Sequence, residues 1–176
     1  MLIRPSTAAD ARDIFRVRKK SWKAAYAGVI SAEFMDRIQE EPTPLQIRGF
    51  DNLMDDRYTY VAVDGERVAA FLTVGHYRDQ DTPDHTRRPE EGGEIWALYA
   101  DPAYYRSGVG TMLMKAGLAR LDEQGLSPVR LWVLRENERA KAFYRSQGFE
   151  WDGASSDLDL NGEIHVEDRF ALIRPR

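Results

Sequence analysis

One stretch constrains this chain more than any other: a bulky apolar run that stops at a proline and restarts as a glycine-led helix. It spans Glu94–Leu121, EIWALYADPAYYRSGVGTMLMKAGLARL. The run Ile95-Trp-Ala-Leu-Tyr-Ala100 is short and bulky enough to be a buried strand. Asp101-Pro102 ends it, because proline offers no N–H to a ladder and restricts the residue before it. After Tyr105-Arg106-Ser107-Gly108-Val109-Gly110, the residues Val109, Met112, Leu113, Ala116 and Leu121 fall near one helical face. The layout is strand, glycine turn, helix N-terminus.

That layout has a chemical meaning. The first amides of a helix lack internal partners, and the helix dipole places partial positive charge there. Glycine at 108 and 110 lets a ligand approach the backbone without meeting a Cβ. Phosphate or pyrophosphate is the expected guest, although two glycines can also simply make a turn. Other phosphate motifs do not fit. No Gly-Lys-Ser/Thr follows, and Leu113 stands where the dinucleotide fingerprint needs its third glycine.

Pro102-Ala-Tyr-Tyr-Arg-Ser-Gly108-Val-Gly110-Thr resembles motif A of the GNAT superfamily of N-acetyltransferases, Gln/Arg-x-x-Gly-x-Gly/Ala after a strand. Asn137-Glu-Arg-Ala140-Lys-Ala-Phe143-Tyr144-Arg-Ser-Gln-Gly148-Phe149 is similar to the family's second signature, Asn-x-x-Ala-x-x-Phe-Tyr-x-x-x-Gly-Phe. One position departs: Tyr105 stands where the family usually has Gln or Arg. The resemblance covers nearly the whole chain. It implies a mixed α/β, mostly antiparallel seven-stranded sheet with helices on both faces, splayed after the motif A strand where acetyl-CoA enters. Residues 1–176 would form one such domain.

Composition agrees with an ordinary soluble globular protein. The chain has 176 residues, 43% hydrophobic and 31% charged, enough for one domain burying roughly 70% of its unfolded surface. Net charge is −4 and the basic residues are scattered, which argues against a nucleic-acid partner. The absence of cysteine removes disulfides, zinc–thiolate sites and a thiol nucleophile together. No signal-like start and no apolar run approaching ~20 residues point to a cytoplasmic protein with no membrane partner. His76, His85 and His165 show no ligand spacing, so no metal is assigned.

In order, Leu2–Arg4 reads as a strand, and Thr7 with Asp10 resembles a capping box. A helix carrying Ala11, Ile14, Val17, Ser21, Trp22 and Ala25 on one side should stop near Gly28. Ser21-Trp22-Lys-Ala-Ala-Tyr26-Ala-Gly28 resembles a Trp-x-x-x-Tyr-x-Gly region that in the family helps wall the acceptor pocket. Core packing is the competing reading, stronger for Trp22 than for Tyr26, whose tip is polar. Helices follow around Ala32–Gln39 and Leu45–Asp55, then strands Tyr58–Val63 and Glu66–Gly75 joined by Asp64-Gly65. The aperiodic stretch His76–Gly93 is a candidate lid over the acceptor site. Val129–Val133 is a strand, Asn137 caps a short helix, and Asn161-Gly162 turns into a last strand, His165–Ile173.

The implied reaction carries acetyl from a thioester to a primary amine by direct attack in a ternary complex. An alkyl ammonium, with pKa about 10.4 in the lysine case, has no lone pair, so a base is needed. Glu94 matches the position where many family members keep a glutamate acting through water; a solvated carboxylate at a strand end is the alternative. By the same resemblance, N–H groups near Leu98 and Tyr99 polarise the carbonyl, and Leu98 and Ala100 pair with the pantetheine arm. Asn137 contacts that arm as well as capping, and Tyr144 is the general acid for the thiolate. Tyr105, Arg106, Ser107, Gly108, Val109, Gly110 and Thr111 form the pyrophosphate loop. The acceptor is then a small-molecule or peptide amine and the protein a monomer or homodimer. A lysine- or N-terminus-acetylating enzyme and a non-catalytic acyl-CoA-binding module are the alternatives.

Overall fold

A computed structural model describes residues 1–51, 57–78 and 88–172. The elements are β1 (Leu2–Pro5), α1 (Ala11–Ala25), α2 (Ala32–Arg37), α3 (Pro44–Arg48), β2 (Arg57–Asp64) and β3 (Arg67–His76). They continue with β4 (Gly93–Ala100), α4 (Val109–Glu123), β5 (Val129–Leu134), α5 (Glu138–Ser146), β6 (Glu150–Leu160) and β7 (Glu163–Leu172). The strands form a seven-stranded, mostly antiparallel sheet in the order β1-β2-β3-β4-β5-β7-β6. The parallel β4–β5 ladder covers Gly93↔Val129, Glu94↔Arg130 and Ile95↔Leu131, while β4 itself runs on to Ala100.

The contacts divide the chain into two compact parts, Met1–Val74 with Ala97–Leu118, and Gly75–Trp96 with Ala119–Arg176. In the first, α1 buries its apolar stripe, Ala11, Ile14 and Val17, in a core with Phe15, Val61, Val68 and Phe71. Each of the larger side chains contributes about 1.5–3 kcal/mol on burial. Helix α4 lies so close to β3 that a Cβ on Gly117 would displace the side chains of Leu72 and Val74. At the start of α1, Asp10 accepts from the Arg4 guanidinium (2.7 and 2.8 Å) and from the Thr7 N–H (2.8 Å). In the second part, Val129, Leu131 and Val133 bury one face of β5, while Arg130 and Trp132 alternate onto the other.

Several boundaries differ from the sequence reading. Helix α1 ends at Ala25, where the Tyr26 N–H bonds the Trp22 carbonyl; Gly28, at φ +77°, serves the next turn instead. Helix α2 stops at Arg37 and α3 at Arg48, with Gly49 at its C-cap, and residues 52–55 of the expected third helix lie outside the described residues. The Asn161-Gly162 turn is tight, pairing Leu160 with Glu163, so β7 starts two residues earlier than expected. Ile173 and most of the expected lid, 79–87, are outside the described residues. No described helix is long and apolar enough to cross a membrane.

Candidate active site

The glycine turn stands at the head of α4. The Asp101 N–H bonds the Ala69 carbonyl at 2.8 Å and so fixes where β4 ends. Its carboxylate accepts from the Ala103 N–H (3.2 Å), Arg16 (3.0 Å) and Lys20 (3.1 Å). Burial works to raise this carboxyl, and the Lys20, Ala103 and Arg16 bonds override it, holding it below the usual range. Tyr104 donates to Asp64 at 2.9 Å, and Ser107 caps the Tyr104 carbonyl at 2.7 Å. Arg106 (φ +63°) and Gly108 (φ +84°) are both left-handed, and a non-glycine residue in that region stores backbone strain. The Met112 N–H reaches the Gly108 carbonyl. The amides of Val109, Gly110 and Thr111 precede that bond, in the first turn where a helix has no internal acceptors. A Cβ on Gly108 would meet nothing within 4 Å, so the mouth of the turn is open.

Beside β4 in the same part of the molecule, Trp22 packs against Tyr26 (5.1 Å between centroids), Phe34 (5.9 Å) and Tyr99 (6.5 Å), and Tyr99 against Phe71 (5.6 Å). Trp22 and Tyr26 thus come together with Tyr99, and Leu98, Tyr99 and Ala100 are each half-buried. The balance between the two aromatics is the reverse of the sequence reading. Tyr26 is the more deeply buried, 8% exposed, while half-buried Trp22 keeps a buried indole N–H with no partner among the described residues.

In the second part, Glu94 is 1% exposed and bound on both oxygens. The Arg78 guanidinium donates to Oε1 at 2.5 Å and its Nε to Oε2 at 3.2 Å, and the Arg78 backbone N–H donates to Oε2 at 2.8 Å. Arg78 also lies over the Trp96 ring, 4.6 Å from its centroid. A second carboxylate, Glu167 on β7, interacts with this pair. Burial pushes it up to about 7, the Glu94 charge adds to the rise, and Arg78 opposes it. Neither Arg78 nor Glu167 was singled out in the sequence, where a charged residue on a strand reads as solvent-facing. Arg78 follows the end of β3 and Glu167, on β7, lies opposite Leu134, relations that no local pattern in the chain encodes.

Asn137 caps α5, its side chain accepting from the Ala140 N–H at 3.1 Å. Tyr144 is 9% exposed, its ring 5.6 Å from Phe143 and 6.2 Å from Phe149. Phe143 is the more exposed neighbour, so the tyrosine carries more of the local packing than its sequence context suggested. Among the described residues no group of three or more His, Cys, Asp or Glu could hold a metal ion.

The model of the Acetyltransferase (GNAT) family matches residues 21–149, which include the glycine turn, Glu94, Asn137 and Tyr144. The chain belongs to the GNAT acetyltransferase family. A mycothiol acetyltransferase of Frankia alni is 31% identical over 146 residues, covering 76% of this chain and 44% of that protein. The chain spans less than half the length of this and similar mycothiol acetyltransferases. Among solved structures, the N-acetyltransferase of Staphylococcus aureus Mu50 superposes with a TM-score of 0.71 at 13% identity, covering 98% of this chain and 97% of that one. The PaiA N-acetyltransferase of Thermoplasma acidophilum, in complex with coenzyme A, gives 0.68 at 23% identity, covering 95% and 96%. Both share the fold seen here.

Proposed function

We propose that this GNAT domain is an acetyl-CoA-dependent N-acetyltransferase that moves the acetyl group directly onto the primary amine of a small molecule. The observation that carries this reading is the open first turn of α4, where the family places the cofactor pyrophosphate. The amides of Gly108, Val109, Gly110 and Thr111 would hold it, flanked by Tyr105, Arg106 and Ser107. Leu98, Tyr99 and Ala100 supply backbone groups for the pantetheine arm and the thioester carbonyl, with Asn137 a further contact for that arm.

The amine nitrogen attacks the thioester carbon, a C–N bond forms and the C–S bond breaks. Tyr144 gives its proton to the departing thiolate, and a carboxylate at the Glu94 site takes the proton lost by the amine. Trp22 and Tyr26 wall the acceptor. The small-molecule class follows the relatives, which are called mycothiol acetyltransferases.

Thiol release from acetyl-CoA across a panel of amines, amino acids, aminoglycosides and lysine peptides tests this directly. The chain has no cysteine, so the thiol reagent reads only the CoA product when the acceptors carry no thiol. Release that depends on one small-amine pool supports the reading. Acetyl-CoA binding without release from any pool would count against catalysis, and release with peptides alone would move the acceptor to proteins. In an active preparation, Tyr144→Phe should lower kcat by about 10²-fold while acetyl-CoA affinity is kept. An unchanged kcat removes Tyr144 from the mechanism.

A further inference from the structure

We infer that Arg16 and Lys20 of α1, acting through Asp101, hold the glycine turn in the shape that takes the cofactor pyrophosphate; this rests on the acetyltransferase reading above. Asp101 is then a positioning residue for acetyl-CoA. All of these residues belong to the first compact part, Met1–Val74 with Ala97–Leu118. Asp101 is buried, and its two carboxylate oxygens have different partners. Oδ1 accepts from the Ala103 N–H at 3.2 Å and so caps the one-turn helix Pro102–Tyr104 that leads into the turn. Oδ2 accepts from Arg16 Nη1 at 3.0 Å and from Lys20 Nζ at 3.1 Å.

The α1 side of this clamp is itself fixed. Arg16 donates to the Val68 carbonyl at 2.9 Å and to Asp13 at 3.0 Å, and Asp13 accepts from the Val68 N–H at 3.0 Å. The next residue, Ala69, accepts from the Asp101 N–H. Backbone and carboxylate of Asp101 are thus both tied to the start of β3. On the other side, short-range bonds carry that position towards α4. The Tyr104 N–H bonds the Asp101 carbonyl at 2.8 Å, the Tyr105 N–H the Pro102 carbonyl at 3.2 Å, and the Ser107 N–H the Tyr104 carbonyl at 3.3 Å. The turn also keeps Arg106 at φ +63°, a conformation that persists in a non-glycine residue only where its surroundings enforce it. Asp101 anchors one end of that enforcement.

Charge points the same way. A carboxylate at the foot of an anion-binding turn would by itself repel the anion. Here two cations, Arg16 and Lys20, and two carboxylates, Asp101 and Asp13, cancel within one cluster. Asp101 can therefore cap the turn without opposing a pyrophosphate. The clamp acts on binding and not on the reacting atoms, because a turn already held in shape takes its ligand without the cost of being ordered.

The experiment is a calorimetric titration of CoA into the intact protein and into Asp101→Asn, Lys20→Met and Lys20→Arg. Melting temperature and amide hydrogen exchange are measured on each, with kcat and KM for acetyl-CoA once an acceptor is known. Asp101→Asn keeps an oxygen for Ala103 but removes the charge opposite Arg16 and Lys20. It should weaken CoA binding about tenfold and raise KM alike, with kcat kept within about twofold. Exchange of the Tyr104, Tyr105 and Ser107 amides should quicken. Lys20→Met should weaken binding about threefold, and Lys20→Arg should restore it. An influence of charge alone has the opposite sign for Asp101→Asn, since losing a negative charge tightens an anion. CoA binding by Asp101→Asn as tight as the wild type or tighter, or a fall in kcat with KM unchanged, would overturn the clamp. If Asp101→Asn does not fold, Lys20→Met decides: faster exchange at the three amides supports the clamp, and unchanged exchange overturns it. A wild type that binds no CoA would instead overturn the acetyltransferase reading on which the clamp stands.

Discussion

Glu167 and Asp168 are neighbours on β7, yet the two faces of that strand treat a carboxylate in opposite ways. Asp168 points to the α5 side, where Arg135 donates at 2.7 Å, the Ser155 hydroxyl at 2.9 Å, and buried Lys141 lies 3.6 Å away. The Arg135 hydrogen bond leads these effects and holds the carboxyl below its usual range. Glu167 projects to the opposite face and is raised by burial, with the Glu94 charge adding to the rise. One face neutralises its charge with dedicated donors; the other leaves a carboxylate underpaired, sharing one guanidinium with Glu94. Structural ion pairs generally look like the first arrangement, and groups that exchange protons look like the second.

The sharpest way to break the contrast is to take away the guanidinium that binds Glu94. Arg78→Met leaves Glu94 as a fully buried carboxylate without its counter-ion, a change that typically costs about 3–5 kcal/mol. Chemical denaturation at pH 8 should show a loss of at least about 3 kcal/mol. A loss below 1 kcal/mol would mean that the pair contributes little and that Glu94 is solvated.

Asp168→Asn tests the other face and should be milder. It keeps a hydrogen-bonding group but removes the charge opposite Arg135 and Lys141, for an expected loss of about 2 kcal/mol at pH 7. The folded pKa of Asp168 is lowered, so its contribution is fully present above the unfolded value of about 3.9 and disappears as pH falls through the folded one. Wild type and variant should therefore converge in stability as pH falls through the lowered folded value. Equal stability at pH 7 would show that Asp168 is no more than a surface partner for Arg135.

These faces also mark where sequence stops being readable. The glycine turn was legible because its work is done by backbone: a strand-ending proline, Gly108 at positive φ and a helix start are local features. Asn137 was legible for the same reason, since a cap is a relation over three residues. The seven-stranded sheet followed from local turn signals together with the family resemblance. Glu167 was not legible. Its environment depends on cross-strand partners on β5 and β6 and on a glutamate more than seventy positions away, and no period or motif in the chain encodes that meeting. Trp22 and Tyr26 fall between these cases. Their i, i+4 spacing announced a contact, but which of the two would be covered depended on Phe34 and Tyr99, from other elements.

The smallest expected effect is also the one of opposite sign. Glu167 has a folded pKa of about 7 against an ordinary 4.5, so the folded state holds its proton more tightly than the unfolded chain does. Ionising it therefore costs stability: nothing below about pH 4.5, progressively more from there to 7, and the full amount above. A shift of that size corresponds to about 3 kcal/mol for a fully enclosed group, and solvent at this half-buried position brings the expectation down to about 1–2 kcal/mol. Glu167→Gln should accordingly raise stability by that amount at pH 8 and leave it unchanged at pH 4. Asp168→Asn lowers stability over the same interval, so two adjacent substitutions on one strand would move melting temperature in opposite directions. If Glu167→Gln is neutral at both pH values, the carboxylate is well hydrated and the two faces of β7 do not differ as described.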